Sequence, residues 1–287
     1  MSDEIMKAWS CNLTARCPLF RSSSCGYDAG KPLLLSYHPE PDLRVIPECY
    51  VEHVISCWDE WEKLAPRWKN SVKRILSSVT NTQLDEKYFQ IAMDLVILHH
   101  DVGKLTEEYQ RGEFFRHEII SAYIVYNQLK KIFREDEPSI LSSIFASAVY
   151  LHHEALQISH NYLEMREPTY SYLLHLLSSK TFNMLVYSNE VISRVNQHFI
   201  TYAPSFAQSI IKLIKGIDIA NTLSLMIFSV DGHPNPLAIR MGVAAVLHPL
   251  TICDNLAANR RRGMPSNLSK ALISFFKKGA IAVMENE

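Results

Sequence analysis

Residues Ile97 to Lys104 read ILHHDVGK, with two histidines, an aspartate and a lysine set against the end of an apolar run. Charged and titratable groups are costly to bury, so this placement calls for a compensating partner. A second doublet, His152-His153, closes another apolar stretch; His53 lies inside a helical pattern, His117 follows GEFFR, and Asp254 sits in LTICDNLAANRRR on an otherwise apolar face. Imidazole nitrogen plus carboxylate oxygen, without thiolate, is the donor mixture expected for manganese, magnesium, nickel, cobalt or iron in a hydrolytic site. Structural zinc more often recruits cysteine.

Adjacent helical residues point about 100 degrees apart, so the side chains of His100 and Asp101 are expected to diverge. With two carboxylate oxygens, Asp101 could bridge two ions where His100 binds one. A pair of divalent ions can bind a phosphate, activate water at neutral pH and stabilise a leaving oxygen. Lys104, three residues beyond Asp101, could offer its ammonium to a phosphate oxygen. Taken singly, His38, His160, His175, His198, His233 and His248 read as ordinary core or surface histidines.

Other chemistries fail on spacing. His117-Glu118 begins like H-E-x-x-H, but Ser121 occupies the fifth position. Gly103-Lys104 resembles the end of a P-loop, yet Leu105 replaces the Ser or Thr, and no G-x-S-x-G elbow is present. The six cysteines show no C-x-x-C pair, which predicts reduced thiols and no structural zinc site. Hydrophobic residues make up 47% of the 287, enough for a sizeable core, and the net charge of -1 is not that of a duplex-DNA reader. From Leu256 onward, however, Arg260, Arg261, Arg262, Lys270, Lys277 and Lys278 face only Glu285 and Glu287. No basic-then-apolar leader and no uninterrupted apolar span stand out, so the expectation is a cytoplasmic protein with no membrane partner.

The elements that must position these residues are mainly helical. Val54, Ile55, Trp58 and Trp61 share a helix face, and Tyr88, Ile91, Leu95 and Leu98 recur at spacings of three and four. HEIISAYIVYNQLKKIF, SILSSIFASAVYLHHEAL, YSYLLHLLSS, SIIKLIKGIDIANTLSLMIF and PLAIRMGVAAVLHPLTICDNLAANRRR continue the pattern, giving roughly six to eight helices at the usual helix length. Ahead of them, KPLLLSYHPEPDLRVIPECYV is broken by four prolines and suits a small pair of strands. The expected layout is an irregular arm over 1–30, a catalytic domain over 31–258 and a basic segment over 259–287.

With these residues in view, the chain resembles the HD superfamily of metal-dependent phosphohydrolases, through His100, Asp101, Gly103 and Lys104 of H-D-x-G-K. FRHEIISA (115–122), YLHHEA (150–155) and CDNLAANRR (253–261) are similar to the HD nuclease of type I CRISPR-associated interference systems, with motif order matching from Lys31 to Arg262. In the absence of a P-loop the chain resembles the free-standing form that works beside a separate helicase polypeptide. The resemblance implies an all-helical HD-domain fold with a small two-stranded N-terminal segment. It also implies two divalent ions: one on His53, His100, Asp101 and Asp254, the other on Asp101, His117, His152 and His153. Lys104 would contact the scissile phosphate, Ser121 would support the site without ligating, and Arg260 and Arg261 would follow a DNA backbone at the entrance. Of Asp218, Asp231 and Asp254, the setting CDNLAANRR favours Asp254; His99 stays outside the ligand set.

The function so implied is endonucleolytic cleavage of single-stranded DNA, extending to 3′-to-5′ trimming, at a CRISPR RNA-guided effector complex. Two alternatives use the same residues differently. A phosphohydrolase of nucleotides or cyclic nucleotides would need the same ligands around a closed pocket, whereas a non-catalytic helical scaffold of the effector complex would not need a full ligand set.

Overall fold

A computed structural model describes residues 16–20, 22, 25, 34–37, 48–113, 115–133, 140–153, 169–200 and 213–262. Nine α-helices lie among them: α1 (Tyr50–Thr80), α2 (Glu86–His99), α3 (Glu107–Gln110), α4 (His117–Phe133), α5 (Ile140–Leu151), α6 (Thr169–Leu177), α7 (Ser188–Phe199), α8 (Gly216–Asp231) and α9 (Pro236–Arg262). A 3-10 turn, Val102–Leu105, follows α2. The ninth helix beyond the expected range is accounted for by α3, a single turn too short to leave a periodic trace.

Helix α2 sits at the centre. Asp85 caps it by accepting from the Lys87 and Tyr88 N–H groups, and nine consecutive buried positions from Ile91 to His99 leave its second half no solvent face. Helix α9 packs along α1 and α5, and α4 packs on α5, so that α1, α2, α4, α5 and α9 enclose one core. Trp61, Phe89, Phe145, Leu95 and Leu98 are fully buried within it. Helix α1 ends at Asn81, whose φ of 50° is the left-handed conformation that asparagine tolerates.

The expected N-terminal strand pair is present as β1 (Leu35–Tyr37) and β2 (Glu48–Cys49), which pair antiparallel. A second pair, β3 (Thr181–Asn183) with β4 (Leu213–Lys215), corrects the reading of SIIKLIKGIDIANTLSLMIF as one helix. There the chain is extended over Leu213–Lys215 and turns helical only at Gly216. From the arm, Arg16 forks onto Asp59 of α1 at 2.7 and 3.1 Å, and Leu19 is buried. No disulfide joins the described cysteines, Cys17, Cys25, Cys49, Cys57 and Cys253. The remainder of the arm and everything past Arg262 lie outside the described residues.

The expectation that no apolar span stands out also needs correction. Within Pro236–Ala258 of α9 an 18-residue window reaches a mean hydropathy of 1.5, enough by length and composition to cross a membrane. In this fold, Ile239, Val243, Val246, Leu250, Cys253 and Ala257 form the buried stripe of a core helix.

Candidate metal centre

A helix leaves its last carbonyls without intrahelical partners, and both histidine doublets stand where α2 and α5 end. His100 Nδ1 lies 2.8 Å from the Ile97 carbonyl, and His152 Nδ1 lies 2.6 Å from the Val149 carbonyl. Each ring therefore donates from Nδ1 to a carbonyl in the last turn of its helix and turns Nε2 inward. Both Nε2 atoms are buried without a hydrogen-bond partner among the described residues. That cost is one a coordinated cation would offset. His100 and Asp101 do not ride on one helix, as the sequence suggested. They stand past the end of α2, where Asp101 at φ -106° and ψ 9° starts the 3-10 turn, closed by Lys104 N–H to Asp101 O at 2.9 Å.

Asp101 faces a different set of rings with each oxygen. Oδ2 is 3.2 Å from His53 Nε2 and 3.6 Å from His100 Nε2, and Asp254 Oδ1 is 3.2 and 3.8 Å from the same two atoms. Oδ1 is 2.9 Å from His117 Nε2 and 3.5 Å from His152 Nε2, while His117 Nε2 and His153 Nε2 are 2.9 Å apart. Two atoms sharing one ion through bonds of about 2.1 Å can be at most about 4.2 Å apart. All these neighbouring pairs satisfy that limit, and the donor atoms of His53, His100 and Asp254, like those of Asp101, His117, His152 and His153, lie within 4.8 Å of one another, so small side-chain shifts would bring each set onto a divalent cation. Cys57, which the sequence reading left out, also belongs to the set of His53, His100 and Asp254.

The two sets differ in charge. Burial alone would push the Asp101 carboxyl up, but Lys104, His100 and His117 outweigh it and hold the group well below the usual carboxylate range. Asp254 behaves likewise, with His100 and His53 overcoming burial. Burial would strip the proton from His53, yet Cys57, Glu48, Asp101 and Asp254 raise it well above an ordinary histidine. His100 is similarly lifted to about 10, with Asp101 and Cys57 prevailing over burial. In the first set the two carboxylates therefore draw positive charge onto His53 and His100, which a bound cation would supply in place of those protons. In the second set, burial and then the neighbouring His152 and His117 depress His153 to about 2, and burial and then Lys104 depress His117. Those rings are neutral, with lone pairs available for ligation.

Close packing fixes this arrangement. A Cβ on Gly103 would fall 2.2 Å from the His117 carbonyl oxygen, so glycine is what allows the turn to lie against the start of α4. The Gly103 N–H donates to Ser121 Oγ at 2.9 Å, and Ser121 is fully buried. Lys104 Nζ donates to Asp101 Oδ2 at 2.6 Å and to Ser36 Oγ at 3.4 Å. Gln110 receives the Leu35 N–H and donates to the Leu35 carbonyl, acting as a side-chain partner for β1 that holds Ser36 over Lys104.

Sequence reasoning missed Glu48 as well as Cys57. Buried in β2, its Oε2 lies 3.3 Å from His53 Nδ1, behind the metal-facing side of the ring. Among the remaining candidates, His99 turns away to Asn196 Oδ1 at 2.8 Å, and burial lowers it to about 4. Asp218 is exposed and Asp231 pairs with Arg240 at 2.9 Å, so of the three late aspartates only Asp254 reaches the centre. Of the histidines read as ordinary, His175, His198 and His248 are exposed and His233 is half-buried, while His38 and His160 lie outside the described residues. The backbone of Arg260 and Arg261 is in the last turn of α9, but their side chains lie outside the described residues.

A helical domain whose His-Asp turn presents one carboxylate to two donor sets has the fold of a solved HD domain protein. No protein-family model matches the chain. It is 28% identical over 239 residues to the CRISPR-associated endonuclease Cas3-HD of Pyrococcus furiosus, covering 77% of this chain and 92% of that protein. The Cas3-HD endonuclease of Methanocaldococcus jannaschii is 29% identical over 235 residues, covering 77% and 90%. The structure of the CRISPR-associated Cas3 HD domain protein from Methanocaldococcus jannaschii superposes with a TM-score of 0.53 at 28% identity, over 71% of this chain and 95% of that one. The chain is thus similar to CRISPR-associated Cas3-HD proteins over nearly their whole length.

Proposed function

We propose that this protein is a metal-dependent nuclease of type I CRISPR interference that hydrolyses phosphodiester bonds in single-stranded DNA. The observation that carries the reading is the position of Asp101, with one oxygen toward His53 and His100 and the other toward His117 and His152. Homology to proteins named as Cas3-HD endonucleases supports the same class of reaction. Two divalent ions, drawn from manganese, magnesium, nickel, cobalt or iron, would supply Lewis acidity and lower the pKa of water when bound.

The chain's own residues divide the work by exposure. His53, His100, Asp101 and His152 form a buried floor, whereas His117 at 14% and Asp254 at 15% side-chain exposure, with His153, form the open rim. A phosphodiester approaches over that rim. Lys104, pinned between Asp101 and Ser36, adds positive charge beside the phosphate. By the resemblance, Arg260 and Arg261 would add charge that follows the strand's backbone. Endonucleolytic nicking comes first and 3′-to-5′ trimming follows, with a separate helicase and an RNA-guided effector complex presenting the displaced strand.

Cleavage of single-stranded DNA with manganese, magnesium, nickel or chelator, comparing the native chain with Asp101→Ala, tests this reading. Metal-dependent cutting lost in the variant is the expected result. Hydrolysis confined to free or cyclic nucleotides would overturn it in favour of a nucleotide phosphohydrolase.

A further inference from the structure

Cys57 stands one turn beyond His53 on α1, so both side chains project from the same face. Its sulfur is 3.6 Å from His53 Nε2, the same nitrogen that approaches Asp101 and Asp254 at 3.2 Å. Donor atoms of His53, Cys57, His100 and Asp254 all lie within 4.8 Å of one another. His100 Nε2, fully buried and without a hydrogen-bond partner among the described residues, is aimed into this group. The other set, Asp101, His117, His152 and His153, contains no sulfur.

A buried cysteine is ordinarily a small hydrophobe, and Cys253, beside Asp254, fits that description. It is as buried as Cys57 but belongs to neither donor set. Cys57 differs in facing two imidazoles and a carboxylate. We propose that Cys57 is a ligand of the cation held by His53, His100 and Asp254, which makes the two halves of the centre chemically unequal. Thiolate favours zinc, cobalt, nickel or iron over magnesium, whereas three imidazoles and a carboxylate accept a broader range. On binding, the thiol proton leaves to solvent as the sulfur–metal bond forms, with no change of oxidation state. The consequence is a centre that takes up different metals at its two positions when both kinds are supplied. The inference rests on the reading of the two sets as metal positions.

Cobalt(II) titration of the chelator-stripped full chain tests it without reference to activity. The expected result is a sulfur-to-cobalt charge-transfer absorption in the native chain and in Cys253→Ser, lost in Cys57→Ser. Zinc affinity in Cys57→Ser should fall by more than the roughly 10- to 100-fold that removal of an outer partner costs. Cobalt bound without that absorption, or an absorption that survives Cys57→Ser, would remove Cys57 from the ligands and leave the metal positions standing. No cobalt uptake at all would overturn both readings. Should Cys57→Ser fail to fold by circular dichroism, X-ray absorption on the zinc-loaded native chain decides the matter. A zinc–sulfur distance of about 2.3 Å supports the assignment, and a shell of nitrogen and oxygen alone at about 2.0 to 2.2 Å overturns it.

Discussion

Ser121 Oγ accepts the Gly103 N–H at 2.9 Å, and this one bond ties the His-Asp turn to the first turns of α4. Neither residue faces the metal positions, yet the bond sets the distance between Asp101 on the turn and His117 on the helix. Ser121→Ala leaves a buried N–H without a partner, an expected loss of about 1 to 3 kcal/mol in unfolding free energy. Gly103→Ala should cost more, because the added Cβ meets backbone at 2.2 Å rather than a movable side chain. Denaturant unfolding of both variants gives the order, and Gly103→Ala milder than Ser121→Ala would contradict it.

How much of this arrangement the sequence discloses depends on whether a residue's role is tied to a spacing. Helix α4 matches its periodic stretch from His117 to Phe133, and α9 begins at the expected Pro236, because long amphipathic patterns survive tertiary packing. Strands β3 and β4 hold three residues each, too few to show alternation, and exist through pairing across thirty residues of chain. Glu48 shares no motif with His53; it reaches the ring through the β1–β2 pairing, which is tertiary information. Cys57 does carry a signal, His53-x-x-x-Cys57 at one helical turn, but a single cysteine at that spacing is also what a core helix face shows. The two-sided use of Asp101 was legible from its chemistry, but its placement past the end of α2 was not, since an apolar run does not announce where the helix unwinds.

Asp94 provides a pH dependence far from the ligands. Burial, opposed by the Gln90 amide at 2.6 Å, raises its carboxyl to about 7. Between the ordinary value near 3.8 and about 7, the folded chain binds the proton and the unfolded chain does not. The unfolded state then holds fewer protons, so stability falls as pH rises through that window, and the penalty is complete above it. Asp94→Asn removes the ionisation and keeps an oxygen for Gln90. Its expected gain at pH 8 is at most about 4 kcal/mol, by the pKa difference. At pH 4 the gain should nearly vanish. Paired unfolding curves at the two pH values check this, and an equal effect at both would rule out the ionisation.

Glu48 acts on the centre through His53. Its carboxylate stands 3.3 Å from Nδ1, across the ring from the Nε2 that faces Asp101 and Asp254. Glu48→Gln should lower metal affinity by roughly 10- to 100-fold, as loss of an outer carboxylate does in histidine-ligated sites. Competitive titration with a chromophoric chelator measures it. Unchanged affinity would reduce Glu48 to a strand residue that pairs with Tyr37.

Lys104, in the role proposed for it, would separate the holding of metal from the handling of phosphate. Its ammonium is 2.6 Å from Asp101 Oδ2, the oxygen that faces His53 and His100, and 3.4 Å from Ser36 Oγ. A cation arriving at that oxygen competes with the ammonium, so Lys104→Met, which retains the apolar stem, should not weaken metal uptake. Under the proposed function the variant also loses the charge beside the phosphate, and removal of one such transition-state contact costs about 10²- to 10³-fold in rate. The expected variant is therefore metal-replete and nearly inactive on single-stranded DNA, measured by metal analysis and cleavage on the same sample. If metal and activity disappeared together, Lys104 would be a positioning residue for Asp101, and the positive charge at the phosphate would have to come from α9.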